Sequence, residues 1–172
     1  MFTLEFEVPM ERFNHVMDAL IWNGASLEWV YCNSPRESAV FRASVPEERL
    51  YGCLLRLAEA AGQTEVTIIE KSGQERYIHE AFLATVEVSS GRYPVMILLE
   101  YRKDPFTPSR ITVGLLPSSP QELVDAVMRL TVGRISMTST RLLKRVVTDD
   151  LMLLRLEYLP EALPEGHSVV VG

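Results

Sequence analysis

The sequence predicts an α+β fold, a βαββαβ unit in the first seventy-odd residues followed by a mostly β second half with one clear helix. The segment Val8-Pro9-Met10-Glu11-Arg12-Phe13 reappears about 37 residues later as Val45-Pro46-Glu47-Glu48-Arg49-Leu50. Each copy follows a strand-like alternation and opens a stretch whose apolar residues recur at helical spacing. Beyond them the chain is dominated by apolar and β-branched runs broken by turn residues.

Phe2, Leu4, Phe6 and Val8 share one parity and Thr3, Glu5 and Glu7 the other, as in a strand with one buried face. Pro9 suits a first helical turn, where its missing N–H costs nothing. Met10, Phe13, Met17, Leu20 and Ile21 then form a stripe, and Gly24 sits where a left-handed cap is expected, so the first helix spans about 9–23. Leu27, Trp29 and Tyr31 alternate with Glu28, Val30 and Cys32. Asn33-Ser34-Pro35-Arg36 supplies a turn before a strand through Phe41, Ala43 and Val45. Leu50, Leu54, Leu57, Ala58 and Ala61 make the second helical stripe, Gly62 repeats the cap, and Val66 and Ile68 open the fourth strand.

Lys71-Ser72-Gly73-Gln74 places a soft boundary, dividing the chain into 1–73 and 74–172, two parts that can also pack as one domain. Tyr77–Val88 and Tyr93–Arg102 flank Ser89-Ser90-Gly91-Arg92 as a hairpin. The run from Tyr93 to Leu99 is too continuously apolar for a strand with one wet face, so it is expected to be covered on both sides. Ser119-Pro120-Gln121-Glu122 reads as a capping box opening the one clear helix of this half, closed by Gly133. Residues 137–147 read as strand, with helix as the alternative, and Val169-Val170-Val171 as an edge strand.

The element order of about the first 70 residues resembles the ferredoxin-like class, which includes many small-molecule-sensing and dimerising domains. The resemblance is of order alone; no family motif accompanies it, and no functional residue is carried across. Two right-handed βαβ units in one antiparallel sheet set both helices on one face. Phe6, Trp29, Phe41 and Val66 are then expected to meet Phe13, Met17, Leu54 and Leu57. The other face carries Thr3, Glu5, Glu7, Glu28, Val30, Cys32, Val40, Arg42, Ser44, Glu65, Thr67 and Ile69. Glu5, Glu7, Glu28 and Arg42 mark it as a candidate interface. On this parity its aromatics are buried and its carboxylates would repel phosphate, which argues against RNA recognition by the sheet.

A hydrophobic content of 47% allows a globular core, and a formal charge of −6 argues against broad nucleic-acid or anionic-membrane binding. Cys32 and Cys53 have no zinc or disulfide spacing, and neither a secretion signal nor a membrane span is evident, so cytoplasmic residence is expected. His15, His79 and His167 are scattered, and no nucleotide-binding or hydrolase motif occurs. No cofactor, metal or catalytic set is therefore assigned. Cys53 reads as a core residue and Cys32 as the more accessible thiol.

The basic concentration of this acidic chain is Arg129, Arg134, Arg141, Lys144 and Arg145, of which Arg134, Arg141, Lys144 and Arg145 are the candidate anion-binding set. Were 121–131 and 137–147 both helical, they would form a helix-turn-helix reader of DNA. The leading expectation is a non-enzymatic ligand-sensing or subunit-pairing module that forms a homo-oligomer or binds a partner protein, with a small-molecule ligand also compatible. The competitors are a nucleic-acid-binding regulator using Arg129–Arg145 and a small enzyme with an unrecognised site.

Overall fold

The computed structural model describes residues 1–159; the expected strand at 169–171 and His167 lie outside them. The chain runs β1 (Phe2–Pro9), α1 (Phe13–Trp22), β2 (Ser26–Asn33), β3 (Ser38–Val45), α2 (Leu50–Ala61), β4 (Thr64–Ser72), β5 (Glu75–Val88), β6 (Gly91–Glu100) and β7 (Arg110–Leu115). It continues through α3 (Gln121–Val127), β8 (Thr131–Val132), β9 (Ile135–Ser136), β10 (Thr140–Val147) and β11 (Met152–Tyr158). Nine of these strands form one antiparallel sheet in the order β10-β11-β7-β6-β5-β4-β1-β3-β2, with β8 and β9 a separate small hairpin.

The first four strands lie in the order β4-β1-β3-β2. Strict alternation buries Phe2, Leu4, Phe6 and Val8 of β1 beside Ala39, Phe41, Ala43 and Val45 of β3. α1 and α2 share one core with this face, in which Phe41 stacks on Phe6 at 5.3 Å between ring centroids and meets Phe13 at 5.4 Å. Both helices start with a short 3-10 turn, Met10–Arg12 and Glu47–Arg49, directly after Pro9 and Pro46. α1 ends with Gly24 at φ +70, its N–H bonded to the Ile21 carbonyl while the Ala25 N–H reaches Leu20; a glycine takes this left-handed turn without steric penalty.

One expected face assignment is reversed. Leu27 pairs with Ala43, but Trp29, two residues on, pairs with the adjacent Arg42, so Glu28 is an extra residue in β2. This β-bulge flips the parity. Val30, opposite Phe41, packs on the helical core, whereas Trp29 and Tyr31 join Arg42 and Val40 on the face away from the helices.

The sheet runs through the expected boundary at 73, because β4 and β5 are joined by a tight turn at Gly73 and pair along their length. β6 is covered on both sides, as its continuous apolar sequence requires. Met96 and Leu98 join the core of α1 and α2, while Val95, Ile97 and Leu99 join a second core with β7, β11 and α3 on the opposite face. α3 is shorter than expected and its capping box does not form: Pro120 is the N-cap residue, Ser119 Oγ is buried without a partner, and Glu122 instead accepts hydrogen bonds from Ser89. Residues 137–139 make a single turn and 140–147 are strand, so no helix-turn-helix is present there. Among the described residues no helix is long and apolar enough to cross a membrane.

Replacing Phe41 by Ala removes the ring on which Phe6 and Phe13 both rest. The expected loss is about 3–5 kcal/mol of stability, read as a lower midpoint in urea unfolding at unchanged slope.

Candidate functional site

α1 and α2 cover one face, and α3 with the β8–β9 hairpin covers the other only over the C-terminal strands. The second face of β1-β3-β2 therefore lies open beside the edge strand β2, while Ile69 of β4, expected on the same open side, is buried. On it Arg42 of β3 bonds Glu5 of β1 and, through Nε, Glu28 of the bulge at 2.9 Å; Ser44 donates to the other Glu28 oxygen. The Ser44 hydrogen bond first, and Arg42 second, hold the Glu28 carboxyl below its ordinary range. Glu7 is fixed separately by Ser38, by Arg36 at 3.3 Å and by Asn33 at 3.4 Å. The four expected interface residues thus sit on one face, three of them in a single ionic network. What parity alone missed is the aromatic pair beside them: Trp29 and Tyr31, 41% and 56% exposed, stack at 5.4 Å between centroids.

The basic set is not brought together. Arg134 lies in the β8–β9 turn over the Phe106 ring. Arg141 and Lys144 of β10 pair with Glu157 and Arg155 of β11 on the helical side of the sheet, and Arg145 pairs with Leu154 on the opposite side. Across nine strands at about 4.8 Å per step, β10 is roughly 40 Å from β2, too far for one small site to use both edges.

Register does create one polar cluster that the sequence reading did not assemble. Glu70 of β4, His79 of β5 and Glu100 of β6 lie on the helical face with potential ligand atoms within 4.8 Å of one another. His79, 1% exposed, accepts the Tyr101 backbone N–H at Nδ1 (3.0 Å), so its ring proton lies on Nε2 and is donated to Glu70 at 2.8 Å. Arg102 bridges both carboxylates, 3.0 and 3.1 Å from Glu70 and 3.1 Å from Glu100. Glu100 Oε1 has no hydrogen-bond partner, with Arg110 Nε at 3.8 Å.

This donor set fits a metal poorly. A histidine ligating through Nε2 carries its proton on Nδ1 and donates it to an acceptor, yet here Nδ1 faces a donor, and a guanidinium already lies between the carboxylates. The cluster ties the loop after β6 to the β4–β5 hairpin. Burial raises the Glu70 pKa, but the His79 hydrogen bond and the Arg102 charge outweigh it and hold the carboxyl below its ordinary value.

Cys53 is enclosed in the helical core and burial pushes its thiol up to about 12, so it is inert, whereas Cys32 is exposed on β2. A groove of about 800 Å³ runs between β5 and the β8–β9 hairpin, with Phe82, Val86, Ile97 and Val132 among its walls. No family model, curated protein or solved structure matches the chain.

Because Glu70 is held below its unfolded pKa, its contribution to stability is full above the ordinary carboxylate range and is lost as pH falls through the folded value. Urea midpoints measured from neutral pH to pH 3 are expected to fall more steeply for the native chain than for Glu70→Gln. Parallel curves would remove this role for the cluster.

Proposed function

We propose that the chain is a non-enzymatic interaction module. Its ferredoxin-like first unit, residues 1–73, presents the open sheet face and the β2 edge to a partner chain, either a second copy or another protein. The observation that carries this reading is the Trp29–Tyr31 stack beside the Glu5–Arg42–Glu28 network on a face that no element covers among the described residues. Large aromatics next to a satisfied charge network are what the centre of a protein contact uses: rigid apolar area with polar groups already paired. The carboxylates of the same face oppose phosphate, so a protein partner is favoured over nucleic acid despite the exposed rings.

Trp22 and Trp29 are the two tryptophans, so Trp22→Phe leaves Trp29 as the reporter of this face. Light scattering and emission are followed together through a dilution series and with any co-purified protein. The expected result is a blue shift of Trp29 emission as mass rises. Mass that rises while the emission stays put would move the interface elsewhere, and a chain that remains alone at every concentration would overturn the reading.

A further inference from the structure

Among the described residues each edge strand of the sheet has one neighbour only: β2 pairs with β3 and β10 with β11. Both are eight residues long, both contain one bulge, and both expose large apolar side chains: Leu27, Trp29 and Tyr31 on β2, and Leu142, Leu143 and Val147 on β10. An edge of this kind can take another strand, and the bulges and the β10 cations restrict which strand it accepts.

The two edges differ in charge. β2 has no lysine, arginine or proline; its one charged residue is Glu28, with Glu5 and Glu7 further along the same face. β10 carries Arg141, Lys144 and Arg145, and among the described residues neither Lys144 nor Arg145 makes an ion pair. Pairing β10 with β10 of another copy would set three cations against three. β10 against β2 sets Arg141 and Lys144, which share one side of β10, against a carboxylate and two electron-rich rings.

We propose that copies of this chain join head to tail, the β2 edge of one copy pairing antiparallel with the β10 edge of the next. This rests on the interaction-module reading and names its partner as a second copy. β2 and β10 are the first and ninth strands of an alternating sheet and so run in the same direction; an antiparallel joint requires the next copy to be turned over.

Turning it over matches the faces. Arg141 and Lys144, on the helical side of β10, come to lie on the side of β2 that carries Glu28, Trp29 and Tyr31. Leu142 and Val147, on the other side together with Arg145, come to lie with Leu27 and Val30. A parallel joint without the turn would put both Arg141 and Lys144 beside Leu27 and Val30 and leave only Arg145 on the side of Glu28, Trp29 and Tyr31. Unlike edges make a heterologous contact, which propagates as an open chain rather than stopping at a dimer.

The test uses the full chain and two variants, Trp29→Lys to block β2 and Lys144→Glu to block β10, compared by sedimentation velocity alone and mixed in equal amounts. The native chain is expected to assemble in a concentration-dependent series that high salt weakens. Each variant alone is expected to be monomeric, its association at least tenfold weaker. The mixture is expected to give a discrete dimer, because one partner keeps a working β10 and the other a working β2; that dimer also shows both variants to be folded.

Variants that still associate alone as strongly as the native chain would overturn the head-to-tail joint. If Trp29 emission then still shifts with mass, the interaction-module reading survives with a different geometry. A native chain monomeric at every concentration, including one whose β10 edge is taken by its own residues 160–172, overturns the joint; if no partner protein is retained either, the broader reading fails with it.

Discussion

Nine strands side by side present two broad faces, and the covers available to this chain are offset. α1 and α2 lie across one side from the N-terminal strands past β6, their core reaching Leu153 of β11, and α3 with its hairpin lies across the other over the C-terminal strands. β6 and β7 are where the covers overlap, which is why Val95 to Leu99 and Ile111 to Leu115 are all buried. In β1 and β3, away from the overlap, burial alternates and one side is dry. The open second face of β1-β3-β2 is a direct result, and the proposed contacts of the protein follow from it.

The two polar networks differ by the same geometry. Glu70, His79 and Glu100 fall on the covered side, where an unpaired charge is expensive, and each is tied down by a neighbouring strand or by Arg102. Glu5, Glu28 and Arg42 fall on the open side, where water competes for them and their mutual attraction contributes little to stability. The first group fastens a loop to a hairpin; the second leaves charge and aromatic surface for another molecule to use.

Much of this was legible from alternation. The duplicated Val-Pro segment, the caps at Gly24 and Gly62 and the two-sided burial of Tyr93–Leu99 all follow from local chemistry that the fold respects. The bulge at Glu28 was not legible, because Leu27-Glu28-Trp29-Val30-Tyr31 alternates without a flaw and the extra residue exists only relative to β3. The buried cluster left a fainter trace: Glu70 continues the parity of Val66 and Ile68, and Glu100 that of Met96 and Leu98, carboxylates on an otherwise apolar side. Their meeting with His79 depends on strand register, which the sequence does not print. Ser119 misled because Glu122 found Ser89, a residue far off in sequence, in place of its own helix start.

The most direct measurement is amide hydrogen exchange on the full chain, compared between dilute and concentrated solution. If the uncovered face and its edges are where chains meet, backbone amides of residues 26–33 and 140–147 gain protection on concentration while those of α1 and α2 do not change. Protection that appears instead along α1 and α2, with residues 26–33 exchanging equally at both concentrations, would contradict the account.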